Sequence, residues 1–353
     1  MDFTPTEEQE AARELAARIL GDLSTHERLA ATGGGTDAEL WKALCAAGLP
    51  AAVEEIGLLG LVLLLEEQGR VTAQVPLAAT GVYGILAVAR HGTDEQRARL
   101  LPGLRDGTAV ATGAFPATGA VTARDGRLTG TVTWVPWLRD AAHVLVPDAD
   151  RALWLVRAED AVVEAVELTA PWSAGRLVLD GTPAERLGDA AGESAYRDGS
   201  GVGAYEDVLA AARTAFAGLQ AGVCAGSLAR AVAYTSVRQQ FGRPLATRQA
   251  VQLRAADAHM DTEAIRVTAY EAAWRSDAGL DCAGAALTAA WWASEAGKRV
   301  VHSGQHLHGG MGADLDHPVH RHFLWGRQLD AYLGAGTELL AELGDLLAKG
   351  ETA

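Results

Sequence analysis

The sequence predicts an α+β chain that runs helices, a small antiparallel sheet, then helices again. Three observations carry this. Apolar residues recur at helical spacing through residues 1–108. From about 109 to 200 the pattern changes to short β-branched and aromatic runs with Asp-Gly turn signals. From 201 to 353 very long Ala-, Leu- and Val-rich stretches return.

The elements follow in order. Thr4 with Glu7 reads as a capping box, with Pro5 at the first helical position, where its missing N–H costs nothing. Ala11, Leu15, Ile19 and Leu20 continue that helix. Trp41 to Leu44, Leu58 to Gln68 and Gly81 to Ala89 extend the pattern. Thr93 to Gln96 opens a further helix with acidic residues in its first turn, which Pro102-Gly103 is expected to help end. Strands are expected at Leu128 to Val135, His143 to Val146, Ala152 to Val156, Val162 to Leu168 and Arg176 to Leu179. Asp125-Gly126 and Asp180-Gly181 read as hairpin turns. Four long helices are then expected, at Tyr205 to Gln240, Leu245 to Ser276, Cys282 to about His306 and Gly326 to Ala348. The small residues of the first permit close helix–helix approach.

Charge and composition exclude some classes of function. With 45 acidic against 30 basic residues the net charge is −15, which argues against nucleic acid or an anionic membrane as partner. Local arginine clusters still allow an anionic ligand. The three cysteines, Cys45, Cys224 and Cys282, are far apart and form no metal-type pair, as in a reduced cytoplasmic protein. The N-terminus is acidic where a signal peptide is basic, and the apolar run Leu58 to Leu65 is too short to span a bilayer. The expectation is a soluble, cytoplasmic protein.

Two tracts carry the chemistry. Arg238-Gln239-Gln240-Phe241-Gly242-Arg243-Pro244 supplies a guanidinium able to make paired bonds to phosphate oxygens. His308-Gly309-Gly310-Met311-Gly312 supplies a glycine-rich backbone that can approach a ligand closely and point N–H groups at it. The glycine tract follows no strand and has no P-loop lysine, so it is neither a dinucleotide fingerprint nor a Walker motif. Six of the ten histidines lie between 302 and 322, with His302 and His306 spaced to share a helix face. No acidic residue completes a recognised metal motif there, so no metal is expected; interface and phosphate-facing roles suit these imidazoles better.

These motifs give the chain a resemblance, along nearly its whole length, to the acyl-CoA dehydrogenase family. It rests on His91-Gly92-Thr93-Asp94-Glu95-Gln96-Arg97 with Leu101-Pro102, on Gly130 to Trp134, on Arg238 with Phe241-Gly242 and Gln249 eleven residues after the arginine, and on the glycine tract. The resemblance implies an N-terminal helical domain (1–108), a central antiparallel β domain (109–200) and a C-terminal four-helix bundle (201–353). It also implies FAD, an oligomer, and α,β-desaturation of a CoA thioester. By that resemblance Arg238, Phe241 and Gln249, with Gly309, Gly310 and Gly312, hold the ADP part of an FAD seated on a neighbouring subunit. His306 stands where the family usually has Gln, Thr337 resembles a further nucleotide contact, and Trp134 is placed to lie against a ring.

The departures from the family are as informative. The usual positions of the carboxylate that takes the α proton are Ala335 and Ala212 here, and neither can act as a base. Glu338, Glu206 and Asp207 lie nearby, at other helical phases. Where the family has Thr-Glu-Pro followed by Gly-Ser-Asp, this chain has Ala114-Phe115-Pro116-Ala117-Thr118-Gly119. Where it has Trp-Ile-Thr, this chain has Trp134-Val135-Pro136, and proline offers neither hydroxyl nor N–H. The tail His308 to Gly336, including Asp316 to Trp325, resembles the short subunits of actinobacterial heteromeric acyl-CoA dehydrogenases, some of which act on CoA thioesters of steroid side chains. The expectation is a subunit that completes the FAD site of a longer homologue carrying the base. Two alternatives stand beside it: a self-sufficient homomeric dehydrogenase with a displaced base, and the same fold turned to non-redox chemistry on a CoA- or carrier-linked substrate, or to scaffolding.

Overall fold

The structure, a computed structural model, describes residues 2–188 and 203–350. The expected boundary at residue 200 lies outside the described residues. The chain forms two compact units, one of Met1–His26, Val62–Ala73 and Arg213–Ala353, the other of Glu27–Leu61 and Gln74–Ala212.

Helix α1 (Glu7–Leu23) begins two residues later than the Thr4 box implies. Its cap is Thr6 with Gln9, each side chain bonding the other's backbone N–H. Thr4 is held instead by Asp2, whose carboxylate accepts from both its N–H and its hydroxyl. Pro5 therefore precedes the cap. Next come α2 (His26–Thr32), α3 (Ala38–Ala46) and α4 (Leu49–Val71), the last turned at Gly57, where φ is 71°. Helix α5 (Leu77–Ala79), a buried π turn (Thr80–Leu86) and α6 (Ala87–His91) follow. Helix α7 (Asp94–Asp106) starts on the Thr93–Gln96 box. Pro102 does not end it. The proline and Ala98, whose carbonyl loses its helical donor, are both exposed, so water can serve that carbonyl, and the helix runs on to a left-handed Gly107.

The strands are β1 (Ala111–Gly113), β2 (Val121–Arg124), β3 (Arg127–Val135), β4 (His143–Pro147), β5 (Leu153–Arg157), β6 (Val162–Ala165), β7 (Gly175–Pro183) and β8 (Glu185–Arg186). They form two four-stranded sheets, ordered β1-β4-β5-β8 and β2-β3-β7-β6. Pairing is antiparallel except between β1 and β4, which run parallel with Ala111 opposite His143. Asp125-Gly126 makes the expected two-residue hairpin, both residues having positive φ. Asp180-Gly181 does not turn the chain. Leu179 pairs with Gly130 and Thr182 with Leu128, so both residues oppose Thr129 as a bulge within β7. Val121, Leu128 and Leu179 from one sheet and Val144, Val146 and Val156 from the other close a common core.

Helix α8 (Ala204–Val237) leads through a short hairpin, β9 (Gln239–Gln240) and β10 (Arg243–Pro244), to α9 (Gln249–Asp277) and α10 (Ala283–His308). The expected last helix is two: α11 (Val319–Leu329) and α12 (Gly336–Ala348), separated where Leu333 and Gly334 take positive φ. Gly326 does not open a helix. It lies buried within α11 where Val301 would meet its Cβ at 2.5 Å. Among the described residues α8 is the one unbroken helix long and apolar enough to cross a membrane, but 94% of its apolar window is buried inside the protein. It is a core helix.

Helices α8 and α4 touch backbone to backbone. A Cβ on Gly222 would lie 2.0 Å from the Glu66 carbonyl oxygen, one on Gly226 2.2 Å from that of Arg70, and one on Gly69 2.2 Å from that of Leu219. The small residues of α8 thus serve the close approach expected of them. Beside this contact the Glu66 carboxylate, almost fully buried, accepts from Arg266 (2.6 and 2.8 Å) and from the Tyr270 hydroxyl (2.8 Å). Gly222→Ala is expected to lower stability by about 3 kcal/mol, because the clash is with backbone that cannot rotate away. Gly344→Ala, on the exposed face of α12 with open space around it, is expected to add about 0.5–1 kcal/mol. Urea unfolding of the two variants checks the contrast; equal effects would contradict it.

Candidate functional site

The two tracts grow from the ends of neighbouring helices. Helix α8 closes with the Arg238 N–H on the Tyr234 carbonyl, and the Leu245 N–H returns to the Arg238 carbonyl. In the intervening hairpin Phe241 and Gly242 both have positive φ (53° and 76°), so an aromatic ring is carried at the tip in a strained conformation. Phe241 is 91% exposed, with the Arg248 guanidinium 5.2 Å from its ring centre. Arg248 also donates to the Gln240 carbonyl, bracing the hairpin. Gln249 is the exposed first residue of α9. The Arg238 guanidinium is exposed and has no acidic partner among the described residues.

Helix α10 ends at His308, and Gly309 leaves it at φ 63°, ψ −140°, a conformation that favours glycine. A tight turn over Gly309–Ala313 follows. Nothing lies within 4 Å of where a Cβ on Gly309 or Gly310 would be, whereas one on Gly312 would be 2.3 Å from the Gln305 carbonyl oxygen. The Gln305 side chain fixes the turn by donating to the Gly312 carbonyl at 3.1 Å. Gln305 is therefore spent on the turn, and His306 beside it is exposed.

One ring contact joins the tracts. Tyr234, a turn before Arg238, stacks on His308, just before Gly309, with ring centres 4.9 Å apart and planes 19° from parallel. His308 Nδ1 is itself held 2.7 Å from the Gly304 carbonyl. Thr337 is not brought to this place. It lies in the first turn of α12, where neighbouring Gly336 packs on Glu295, and Glu295 is about 20 Å along α10 from Gly309. Trp134 belongs to the other unit, half-buried on β3.

The carboxylates near the base positions are all engaged. Ala212 is fully buried and Ala335 half-buried. Glu338 reaches back to the Ala335 N–H (2.9 Å) and caps α12. Glu206 pairs with Arg151 at 3.2 Å. Asp207 receives His91 Nε2 at 2.7 Å and Arg90 at 3.4 Å. Burial works to raise the Asp207 carboxyl, but the His91 bond and the charges of Arg90 and His91 outweigh it and hold it below its ordinary value.

Three features were not read from the sequence. Buried Arg213, next to Ala212, forms a two-pronged pair with Glu342 (2.8 and 2.6 Å). The only available signal was that it is the sole charge in the apolar run 208–229. Phe115 is stacked between Tyr83 (5.1 Å) and Tyr205 (5.6 Å), and the Tyr205 hydroxyl accepts from the Ala117 N–H. Pro136 is buried, its carbonyl accepting from the Thr112 hydroxyl at 2.5 Å. Among the described residues no three His, Cys, Asp or Glu side chains come together as metal ligands do. His302 instead meets Phe323 edge-on, and His308 meets His317 at 4.9 Å.

The chain is similar to known proteins along nearly its whole length. Residues 6–108 match the acyl-CoA dehydrogenase N-terminal domain, and residues 199–342 match the C-terminal domain. Acyl-CoA dehydrogenase FadE27 of Mycobacterium tuberculosis is 36% identical over 386 residues, covering 99% of each chain. The chain belongs to the acyl-CoA dehydrogenase family. Among solved structures it is similar to a chain of the Tcur3481–Tcur3483 steroid acyl-CoA dehydrogenase G363A variant, with 41% identity, TM-score 0.88, and coverage of 98% and 99%. It is also similar to a chain of the ChsE4–ChsE5 complex from M. tuberculosis, with 32% identity, TM-score 0.89 and 99% coverage of each. Butyryl-CoA dehydrogenase from Megasphaera elsdenii, at 22% identity and TM-score 0.84, shares the fold. Members of this family bind FAD and oxidise the CH–CH bond of acyl-CoA thioesters.

His322, on α11, is fully enclosed. It donates Nε2–H to the Arg70 carbonyl at 3.0 Å. Burial pushes it down to about 4 from an ordinary 6.5, against the pull of its bonds to the backbone of Arg70 and Pro318. Between these values the unfolded chain binds a proton that the folded chain refuses, so stability falls as pH drops from 6.5 toward 4. The full loss from this group is about 3 kcal/mol. His322→Gln is expected to flatten that part of the stability–pH curve in urea titrations at stepped pH; an unchanged slope would show that other groups set it.

Proposed function

We propose that this chain is one subunit of a two-chain, FAD-dependent acyl-CoA dehydrogenase, and that it supplies the ADP-side half of an FAD site to a partner that carries the catalytic base. One observation carries the reading. The nucleotide-facing tracts are whole, open and free of internal acids, while both base positions are alanine. The donor set suits an ADP group: an unpaired guanidinium at Arg238, an exposed ring at Phe241, an amide at Gln249 and the bare backbone of Gly309–Gly310. The other half is closed to the same chemistry. Pro136 has no N–H or hydroxyl to offer a flavin, and Ala114 to Ala117 is locked by the Tyr83–Phe115–Tyr205 stack.

FAD, when bound, supplies the acceptor for the hydride leaving the β carbon. The roles left to this chain are to bind and orient. Arg238 neutralises phosphate charge, Gly309 and Gly310 let the nucleotide approach the backbone, and the Tyr234–His308 stack holds the two tracts in fixed relation. Glu206, Asp207 and Glu338 are bound to cations or a helix end, which weighs against a displaced base in a self-sufficient enzyme.

The assembly reading draws on the two solved relatives, each of which pairs two named proteins. It also accords with Leu253, Met260 and Val267, which recur every seven residues along α9 and are exposed. The substrate class we assign is a CoA thioester of a steroid side chain, in line with the Tcur3481–Tcur3483 enzyme, and the compartment is the cytoplasm. Expressed alone, the chain is expected to purify colourless; co-expressed with a longer homologue, the pair is expected to be yellow. Arg238→Ala in this chain is expected to cut the pair's flavin affinity about tenfold or more. A yellow, active chain on its own would overturn the proposal.

A further inference from the structure

Arg230 lies on α8 two turns before Arg238 and one turn before Tyr234. Its side chain is half-buried, yet it makes no hydrogen bond or ion pair among the described residues. A guanidinium drawn out of water without an acceptor is costly, and burial alone pulls this one below its ordinary value. Other arginines in this unit have been given carboxylates: Arg213 has Glu342, and Arg266 has Glu66 and Glu263.

The histidines beside Arg230 carry no negative charge to compensate it. It lies close enough to His317 and His322 to add to the forces that lower both, after burial itself. Arg321 acts on His322 in the same sense, and His308 and His26 act on His317. The Nδ1 atom of His26 is buried and has no partner among the described residues. The one acid acting on His317 is Asp314, exposed on the following turn, where its carboxylate accepts from the Asp316 N–H. Among the described residues Arg230 therefore stands among imidazoles that burial keeps uncharged, with no carboxylate paired to it.

Its position narrows the choice of anion. His317 meets His308 at 4.9 Å, His308 stacks on Tyr234 one turn from Arg230, and Gly309 with its open approach follows directly. A small oxyanion can reach a guanidinium and an imidazole there beside bare backbone. We propose that Arg230 and His317 form a second oxyanion site, distinct from Arg238, that takes a phosphoryl group. This rests on the reading that the glycine turn faces a nucleotide, and it names two sources of the same chemistry: the pyrophosphate of the partner's FAD, or free inorganic phosphate.

The test uses the co-purified two-chain complex, with Arg230→Gln and Arg230→Lys in this chain. Thermal unfolding is followed without anion, with inorganic phosphate and with ADP, and FAD affinity is measured by flavin fluorescence. Without anion, Arg230→Gln is expected to be at least as stable as the wild type, because it removes an unpaired buried charge; a packing role would make it less stable. Phosphate is expected to raise the wild-type transition and leave that of Arg230→Gln unmoved, with Arg230→Lys between them. If the source is FAD, its dissociation constant rises about tenfold in Arg230→Gln. A phosphate effect with unchanged FAD affinity assigns the site to free phosphate, and an FAD effect alone assigns it to the cofactor. A complex that binds no FAD at all defeats the proposed function while the phosphate arm still decides the site. Equal responses of wild type and Arg230→Gln to phosphate, ADP and FAD overturn the proposal, as does a destabilised anion-free Arg230→Gln complex.

Discussion

Helix α8 lies directly on the backbone of α4, glycine against carbonyl at Gly222 and Gly226, with Gly69 answering from the other side. No side chain sets the spacing, so nothing in that contact can rotate to absorb a displacement. The contact fixes the axis of the helix whose far end delivers Tyr234 and Arg238. It also places the Glu66 carboxylate against Arg266 and Tyr270 of α9, so the helix that begins at Gln249 is tied to the same frame. The approach is repeated more loosely where Gly304 packs on Ser227 and Gly326 on Val301, which positions α10 and α11 in turn. Geometry at the two tracts is thereby inherited from helix packing some distance away.

On that frame the functional surface needs few further constraints. The Tyr234–His308 stack makes the end of α8 and the end of α10 a single support. Gln305 shapes the glycine turn from within α10. The result is a rigid base with an exposed rim: Phe241, Arg238, Gly309 and Gly310 all meet solvent. A rim of this kind suits a site completed by a second chain.

Much of this was legible in the sequence because local chemistry and fold agree there. The Thr93–Gln96 box, the Asp125-Gly126 hairpin and the long small-residue helix reappear where expected. The misses share a cause: one signal served two geometries. Thr4 and Thr6 each head a Thr-x-x-Glu/Gln pattern, and Asp2 captures the first. Asp-Gly provides positive φ, which a bulge uses as readily as a turn, so Asp180-Gly181 was misread. Pro102 and the Ala98 carbonyl it deprives of a donor are exposed, and α7 continues through it. Gly326 marks a close helix contact, and the break in the last helix falls at Leu333-Gly334. Arg213–Glu342 and the Tyr83–Phe115–Tyr205 stack span distant parts of the chain, which no local pattern encodes.

Arg238, Phe241, Gly309 and Gly310 are all exposed, while the family's base positions are Ala212 and Ala335 and the acids near them are engaged, the asymmetry that the half-site proposal rests on. The flavin content of the intact two-chain complex tests this most directly, by absorbance of released FAD against chain concentration from amino-acid analysis. One FAD for each pair of chains is the expected ratio. Two for each pair, with both reduced by substrate, would mean that this chain builds a working site of its own and would contradict the half-site.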